Sequence, residues 1–258
     1  MSDAAFLPAT RAVARRHVAQ ALTTPALLLP PLMAPLVFFA TFAGALGGVG
    51  ERATVDQPGG YTAFAFVWVL LQGAMFTGLF AALALTRDFE TGVAARLLVA
   101  LGDRRAVVAG YVGAAVARVG LTVAVLFTVA VVAGMHVAGG PSHLAGLAAI
   151  AVVAALATAL WGIGVALRLQ SMSAAPLLQV PVFLALFLCP TFVPLDQLDG
   201  WLHAVALANP VTWFLEAGRA LLGGSTDRVA PAALAAAGLL AATAAWALTG
   251  LRRAETLR

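Results

Sequence analysis

Long apolar runs separated by short polar stretches dominate the chain. A helix rises about 1.5 Å per residue, so about 20 apolar residues cross the roughly 30 Å hydrocarbon layer of a bilayer. Six runs approach or exceed that length and predict six transmembrane helices, at residues 25–49, 61–86, 119–137, 144–167, 177–193 and 229–251. The runs are continuous and do not alternate with a strand-like period, which favours helices over strands. We therefore predict an all-α membrane protein that forms one membrane domain over residues 1–258.

A first amphipathic segment precedes the first apolar run. Apolar residues recur at helical spacing between Val13 and Leu22, and three nearby arginines lie off that face. This pattern predicts an N-terminal helix in the cytoplasmic headgroup layer, before prolines turn the chain into the bilayer. The alternative is a basic, frayed N-terminus.

A second amphipathic segment lies between the second and third runs. Its apolar residues share one helical face: Val93, Leu97, Leu98 and Leu101. We predict a short helix under the membrane, whose apolar stripe fills a groove of a cytosolic partner. The carboxylates of Asp88 and Glu90 would then meet basic side chains of that partner. The alternative is a solvated turn and helix without a partner.

A third amphipathic segment, at residues 191–227, is too polar for a seventh span and too long for a tight turn. The Asn209-Pro210 pair predicts the start of a second short helix within it, with proline at an early helical position. Glu216 and Arg219 are three residues apart, so they can neutralise each other on one helical face. We predict a helical hairpin that dips into the outer leaflet without crossing, which requires burial against protein or a cavity.

Composition supports the membrane class and excludes several kinds of chemistry. Hydrophobic residues make up 62% of the chain and charged residues 10%, whereas a soluble domain carries about 25% charged residues. There is no lysine, so a Walker A loop and Schiff-base catalysis are both excluded. A single cysteine, Cys189, excludes an intrachain disulfide or a cysteine-based metal cluster.

The arginines predict the orientation of the chain and give no sign of a nucleic-acid partner. Twelve lie on one side of the predicted spans: Arg11, Arg15, Arg16, Arg87, Arg96, Arg104, Arg105, Arg118, Arg168, Arg252, Arg253 and Arg258. Three lie on the other side: Arg52, Arg219 and Arg228. The positive-inside rule then places both termini in the cytoplasm.

Isolated polar residues within or beside the predicted spans leave alternatives open. Arg118, at the inner edge of the third span, either snorkels to the headgroups or contacts substrate. Gln72 and Gln179 either bond a neighbouring helix or line a transport path. The pair Glu216–Arg219 either stabilises the hairpin or takes part in gating and substrate release.

The order of these segments resembles the ABC-2 type (type V) exporter permeases, including the daunorubicin-resistance-like membrane subunits. The most specific part is the hairpin, with Pro194, Trp201, Asn209-Pro210, Glu216 and Arg219. The stretch from Glu90 through Gly92 to Leu98 is similar to the coupling-helix region of that family. Relatives commonly have a proline after this helix, where this chain reads Ala100-Leu101-Gly102.

The resemblance implies roles for particular residues. Residues coupling the chain to an ATPase would be Asp88, Glu90, Gly92, Arg96 and Leu97. The extracellular hairpin or gate would use Asn209, Pro210, Glu216 and Arg219. The candidate pathway residues are Gln72 and Gln179.

The resemblance also implies a permease subunit that is not itself an enzyme and holds no cofactor. ATP and Mg would be bound by a cytosolic ATP-binding partner, and a second permease copy or a paralogue would complete the assembly among the lipids of a bacterial inner membrane. Its substrate would be an amphiphilic drug, a lipid or a lipid-linked molecule moved outward.

Two other functional classes compete with this interpretation. A proton-coupled secondary transporter usually needs acidic residues inside its spans, and all eleven carboxylates lie outside the predicted spans. An intramembrane enzyme would need a motif such as H-E-x-x-H or G-x-S-x-G, and neither occurs in the chain.

Overall fold

The computed structural model describes residues 6–50, 60–101 and 104–256, and this part of the chain is all-α, as predicted. The helices are α1 (Phe6–Thr23), α2 (Pro25–Gly50), α3 (Gly60–Glu90), α4 (Val93–Ala100), α5 (Arg105–Val132), α6 (Pro141–Leu169), α7 (Ala175–Phe187), α8 (Gly200–Ala208), α9 (Pro210–Leu222) and α10 (Val229–Thr256). Two short 3₁₀ turns, Met172–Ala174 and Leu195–Gln197, precede α7 and α8.

Four helices are long and apolar enough to cross a membrane: α3, α5, α6 and the Val229–Arg253 part of α10. Two shorter apolar stretches, Leu29–Phe42 in α2 and Met172–Phe187 at α7, lie where the first and fifth spans were predicted. The helical membrane class is therefore confirmed, and the six-crossing arrangement stays a prediction.

Helix α3 is the centre of the fold, because almost every residue from Tyr61 to Leu85 is buried. It packs against α2, α5 and α6. Its N-terminal half also contacts α9. Gly78 permits a close approach to α6, since a Cβ there would overlap the Ala155 carbonyl oxygen and the Thr158 hydroxyl of that helix. Small residues thus allow backbone contact where lipid supplies no hydrophobic drive for association.

The helix that contains the predicted third span begins earlier in the chain than that span. Residues 105–118 were assigned to the cytoplasmic connection, but they form the first half of α5. Arg118 was taken as the membrane edge, whereas it lies midway along α5 and its side chain is only 8% exposed. Snorkelling and substrate contact both stay predictions for this residue. The helix also ends before residue 137, because Gly134 takes a left-handed conformation with φ 89°.

The predicted fifth span, at 177–193, is wrong as a single helix. Helix α7 has 13 residues and ends at Phe187, which makes it about 20 Å long. Pro190 disfavours helical backbone at Cys189, and the chain leaves the helix just before this pair. Residues 188–193 instead form an irregular segment that leads into the hairpin.

Helix α1 confirms the amphipathic prediction but uses its buried face differently. Val13, His17 and Ala21 are the buried residues, and Val13 packs against Gly110 of α5, where no Cβ would fit. This face therefore contacts protein instead of a headgroup layer. His17 was missed, although it lies four residues from Val13 on the same face.

Candidate functional site

The short helix α4 turns most of its apolar stripe inward. Gly92 takes φ 73°, a left-handed conformation that lets the chain reverse direction after α3. Ala94 and Leu98 are buried in the core of the chain, and Leu97 is half-buried. The outward side of α4 presents Arg96 and Val99, and Val99 is 73% exposed. The stripe predicted to enter a partner's groove is thus largely covered by the chain itself.

Asp88 joins three helices near α4. Its Oδ2 accepts a hydrogen bond from the Tyr111 hydroxyl of α5 at 2.5 Å. The same oxygen lies 3.7 Å from Nη1 of Arg16 and 3.6 Å from Nε2 of His17, both on α1. Burial lowers the pKa of His17 to about 4, although the Asp88 carboxylate opposes this shift. His17 is therefore neutral at neutral pH, and its ring packs against that of Tyr111 at a tilt of 40°, with the ring centroids 4.1 Å apart.

Glu90 holds the connection between α6 and α7. Its Oε1 accepts hydrogen bonds from the Met172 backbone N–H at 2.7 Å and from the Ser171 hydroxyl at 3.2 Å. Both acidic side chains predicted to meet a partner therefore contact residues of this chain. Their partners Tyr111, Ser171 and Met172 carried no signal in the sequence, since they are far from the carboxylates along the chain.

At the other end of the molecule, Asn209 confirms the predicted helix start and also holds α7. Its Oδ1 accepts from the Val211 N–H at 3.0 Å, which caps α9 ahead of Pro210 at the first helical position. Its Nδ2 donates to the carbonyls of Ala185 at 2.7 Å and Leu188 at 3.2 Å. Carbonyls at a helix end have no partner within their own helix. The Asn209 amide therefore bonds both the end of α7 and the start of α9.

Glu216 and Arg219 form the predicted ion pair, with Nη1 and Oε1 3.2 Å apart. Arg219 is only 5% exposed, and it also donates from Nη2 to the Thr191 carbonyl at 3.2 Å. Its guanidinium lies 3.4 Å above the centroid of the Phe64 ring, a cation–π contact with α3. Arg219 therefore connects α9 to α3 and to the segment that follows α7.

The far end of α9 is held by the loop between α5 and α6. The Leu222 carbonyl accepts from the N–H groups of Ala138 at 3.1 Å and Gly139 at 3.2 Å. Gly224 then takes φ 82°, a left-handed conformation that ends the helix. Helix α9 of the hairpin is thus fixed at its start, its middle and its end.

The two predicted pathway residues occupy different surroundings. Gln72, on α3, is completely buried, and neither polar atom of its amide has a hydrogen-bond partner within the described residues. The predicted bond from Gln72 to a neighbouring helix is thus not found in this part of the chain. Gln179 is half-buried on α7.

An apolar cavity of about 190 Å³ lies behind the hairpin, where five helices meet. Each contributes at least one wall residue, among them Met75, Trp161, Pro181, Phe214 and Thr243. The Trp161 indole N–H is buried and has no hydrogen-bond partner among the described residues.

Comparison with known families matches residues 8–222 to the ABC-2 type transporter family. Neither the curated proteins nor the solved structures contain a match to this chain. The matched region begins within α1, includes α4 and the hairpin, and ends with the last residue of α9. It thus contains both of the regions described above and covers most of the sequence. The chain belongs to the ABC-2 type transporter family, as a multi-pass membrane transport component.

Proposed function

We propose that this chain is the permease subunit of an ATP-driven exporter. ABC-2 permease domains normally pair with ATP-binding subunits, and without lysine this chain has no Walker A loop of its own. The partner would bind ATP and Mg, and a second permease copy or a paralogue would complete the unit. The hairpin sequence supports a daunorubicin-resistance-like subtype in a bacterial inner membrane, with both termini cytoplasmic.

The observation that carries the proposal is that α7 is held at both ends by polar contacts. Glu90, three residues before the start of α4, bonds Met172 in the turn that leads into α7. Asn209, at the start of α9, bonds Ala185 and Leu188 at the other end of the same helix. A push on α4 therefore has a short, rigid route to the hairpin.

The exposed side of α4 is the surface proposed to meet the ATP-binding subunit. Val99 offers an apolar contact, and Arg96 offers a cation for an acidic groove. Gly92 would act as the hinge between α3 and α4, since its left-handed backbone suits glycine best. Asp88 and Glu90 then transmit motion inside the permease and do not dock the partner.

The hairpin is proposed as the outer gate. Movement of α9 away from α3 would separate Arg219 from Phe64, and movement away from the segment after α7 would separate it from the Thr191 carbonyl. Glu216 would keep the arginine neutralised during that movement, because the pair lies within one helix. Release of substrate would thus occur without exposing an isolated buried charge.

An amphiphilic drug, a lipid or a lipid-linked molecule is the proposed substrate, moved out of the cytoplasm or the inner leaflet. The apolar cavity behind the hairpin supports an apolar substrate body, since its walls come from α3, α6, α7, α9 and α10. A proton-coupled mechanism has less support. Helices α5 and α6 contain no carboxylate, and α3 carries its two in its last turn.

Purification of the tagged chain from native membranes tests the assembly, followed by transport in proteoliposomes. Co-purification of an ATP-binding subunit and uptake of a fluorescent amphiphile with ATP are expected. A non-hydrolysable ATP analogue should give no uptake. Transport driven by a proton gradient in the absence of ATP would overturn the proposal in favour of a secondary transporter.

Replacing Glu216 by alanine tests the gate. Glu216→Ala leaves Arg219 buried without its carboxylate partner, so we expect transport to fall while assembly with the ATP-binding subunit is kept. Transport and co-purification are measured on the same preparation. Equal loss of expression, assembly and transport would show that the pair is structural only.

A further inference from the structure

A polar cavity of about 230 Å³ lies near α4, and the proposed coupling and gate involve neither Arg118 nor Arg87 of its wall. It lies between α1, α3 and α5, beside the turn at Met172. Arg118, Arg87, His17 and Gln20 form polar parts of its wall, and Phe80 and Leu83 form apolar parts. The arginine distribution predicts that this end of the molecule faces the cytoplasm.

The charges around this cavity favour an anion. Two guanidinium groups, of Arg118 and Arg87, line it, and Asp88 is the carboxylate among its lining residues. That carboxylate already accepts the Tyr111 hydroxyl and lies 3.7 Å from Arg16 outside the cavity wall. The cavity thus has more positive than negative charge.

Two buried side chains in the wall show that the cavity is built to be polar. Arg118 is 8% exposed and carries five N–H donors in a fixed fork, a geometry that suits phosphate oxygens. His17 is 6% exposed, and its Nε2 makes no hydrogen bond among the described residues. Burying such groups in a membrane protein is costly and commonly marks a functional site.

The opposite character of the two walls indicates what kind of anion fits. On α3, Arg87 lies near the C-terminal end of the helix, Leu83 one turn before it and Phe80 two turns before it. The wall of the cavity therefore changes from polar to apolar along α3 towards the middle of that helix. Its volume is below the usual 300–1,000 Å³ of a pocket that encloses a whole drug-sized ligand. A headgroup fits inside, and an attached acyl chain would follow the apolar wall.

We propose that this cavity binds a phosphate group through Arg118 and Arg87, and that the apolar wall selects the phosphate of an anionic phospholipid. The site belongs to one copy of the chain and does not depend on the transport proposal. A soluble phosphate has the same chemistry at its oxygens, so the experiment separates the two sources.

Native mass spectrometry of the purified full chain tests the site, with phosphatidylglycerol, phosphatidylcholine or inorganic phosphate added at equal concentrations. We expect phosphatidylglycerol to remain bound at higher collision energy than phosphatidylcholine. Arg118→Met and Arg87→Gln should each lower the phosphatidylglycerol-bound fraction by about tenfold, because each removes one charge-assisted contact. Arg15→Gln is the matched control, since Arg15 is exposed on α1 and does not line the cavity.

The outcomes separate the alternatives. A lower phosphatidylglycerol-bound fraction in the two cavity variants alone supports the lipid site. Retention of inorganic phosphate without a preference between the lipids supports the site but assigns it to a soluble phosphate. Equal binding of both lipids without phosphate retention, or an equal loss in Arg15→Gln, overturns the proposal. Arg87 lies at the exposed rim, so Arg87→Gln keeps the test decisive should Arg118→Met fail to fold.

Discussion

At the scale of single residues, polar side chains in this protein mainly bond helix ends. Asn209 bonds the carbonyls of Ala185 and Leu188, and the Trp68 indole N–H bonds the Leu186 carbonyl at 2.8 Å. These carbonyls lie in the last turn of α7 or just beyond it, where intrahelical partners run out. Side chains from α3 and from the hairpin therefore stabilise the end of a helix too short to cross the bilayer alone.

The two roles of Asn209 can be separated by mutation. Asn209→Ser keeps a good helix cap but is too short to reach α7, whereas Asn209→Ala loses both functions. We expect the serine variant to be destabilised, and the alanine variant by about 1 kcal/mol more. Thermal unfolding of both purified variants in detergent measures this, and a serine variant as stable as the unmodified chain would show that the α7 contacts contribute nothing.

The stability of the folded chain depends on pH through the buried His17 of α1. Burial lowers the pKa of His17 to about 4 in the folded chain, whereas an unfolded histidine has a pKa near 6.5. The unfolded state therefore binds a proton first, and stability is lost as pH falls from about 6.5 towards about 4. We expect the unfolding midpoint to fall more between about pH 7.5 and 5 in the unmodified chain than in His17→Gln. An equal fall in both would contradict this assignment.

Local polar pairs could be predicted from the sequence, and distant pairs could not. Glu216 and Arg219 are three residues apart, so helical geometry alone brings them together. Asp88 and Tyr111 lie on different helices, and their contact depends on how α3 packs against α5. Glu90 likewise finds Met172 only through the tertiary fold.

At the scale of helices, the long apolar runs predicted where the helices lie along the chain. The exact ends of some helices could not be predicted in this way. The long apolar runs became α3, α6 and α10 near their predicted bounds. Helix α5 extends back to Arg105, and it contains the buried Arg118, whose burial no single-sequence pattern reports. Of the predicted α4 stripe only Leu98 is buried, and the sequence reported neither the burial of Ala94 nor whether this chain or a partner covers the stripe.

Two glycines on neighbouring helices provide a matched test of helix packing. A Cβ at Gly78 would overlap the backbone of α6, whereas a Cβ at Gly120 would meet nothing within 4 Å. We expect Gly78→Ala to destabilise the protein by about 1–3 kcal/mol, and Gly120→Ala to be neutral or stabilising by up to about 1 kcal/mol. Chemical denaturation in mixed micelles compares the two, and equal effects would mean that α3 and α6 are not in close contact.

At the scale of the whole molecule, the two ends are connected through α7 and α3. Glu90 is at the end of α3 and bonds the turn before α7, and Arg219 contacts Phe64 near the start of α3. In the proposed mechanism, α3 is the fixed body and α7 is the element that moves against it. The buried amide of Gln72 lies midway along α3 and has no hydrogen-bond partner among the described residues, a cost in stability that a rearranged state would relieve by supplying one.

Docking and coupling should be separable in the assembled transporter, since the exposed and internal residues near α4 have different roles. Arg96 is exposed, so Arg96→Glu should abolish co-purification of the ATP-binding subunit by placing like charges at the interface. Glu90→Ala leaves that surface intact but releases the turn before α7, so it should keep assembly and ATP hydrolysis while lowering substrate moved per ATP by about tenfold. Arg15→Gln serves as the control, because Arg15 is exposed on α1 away from these contacts. If Glu90→Ala instead lost the ATP-binding subunit and kept a normal transport ratio in the remaining complexes, Glu90 would be a docking residue, and motion would have to reach the hairpin by a route other than α7.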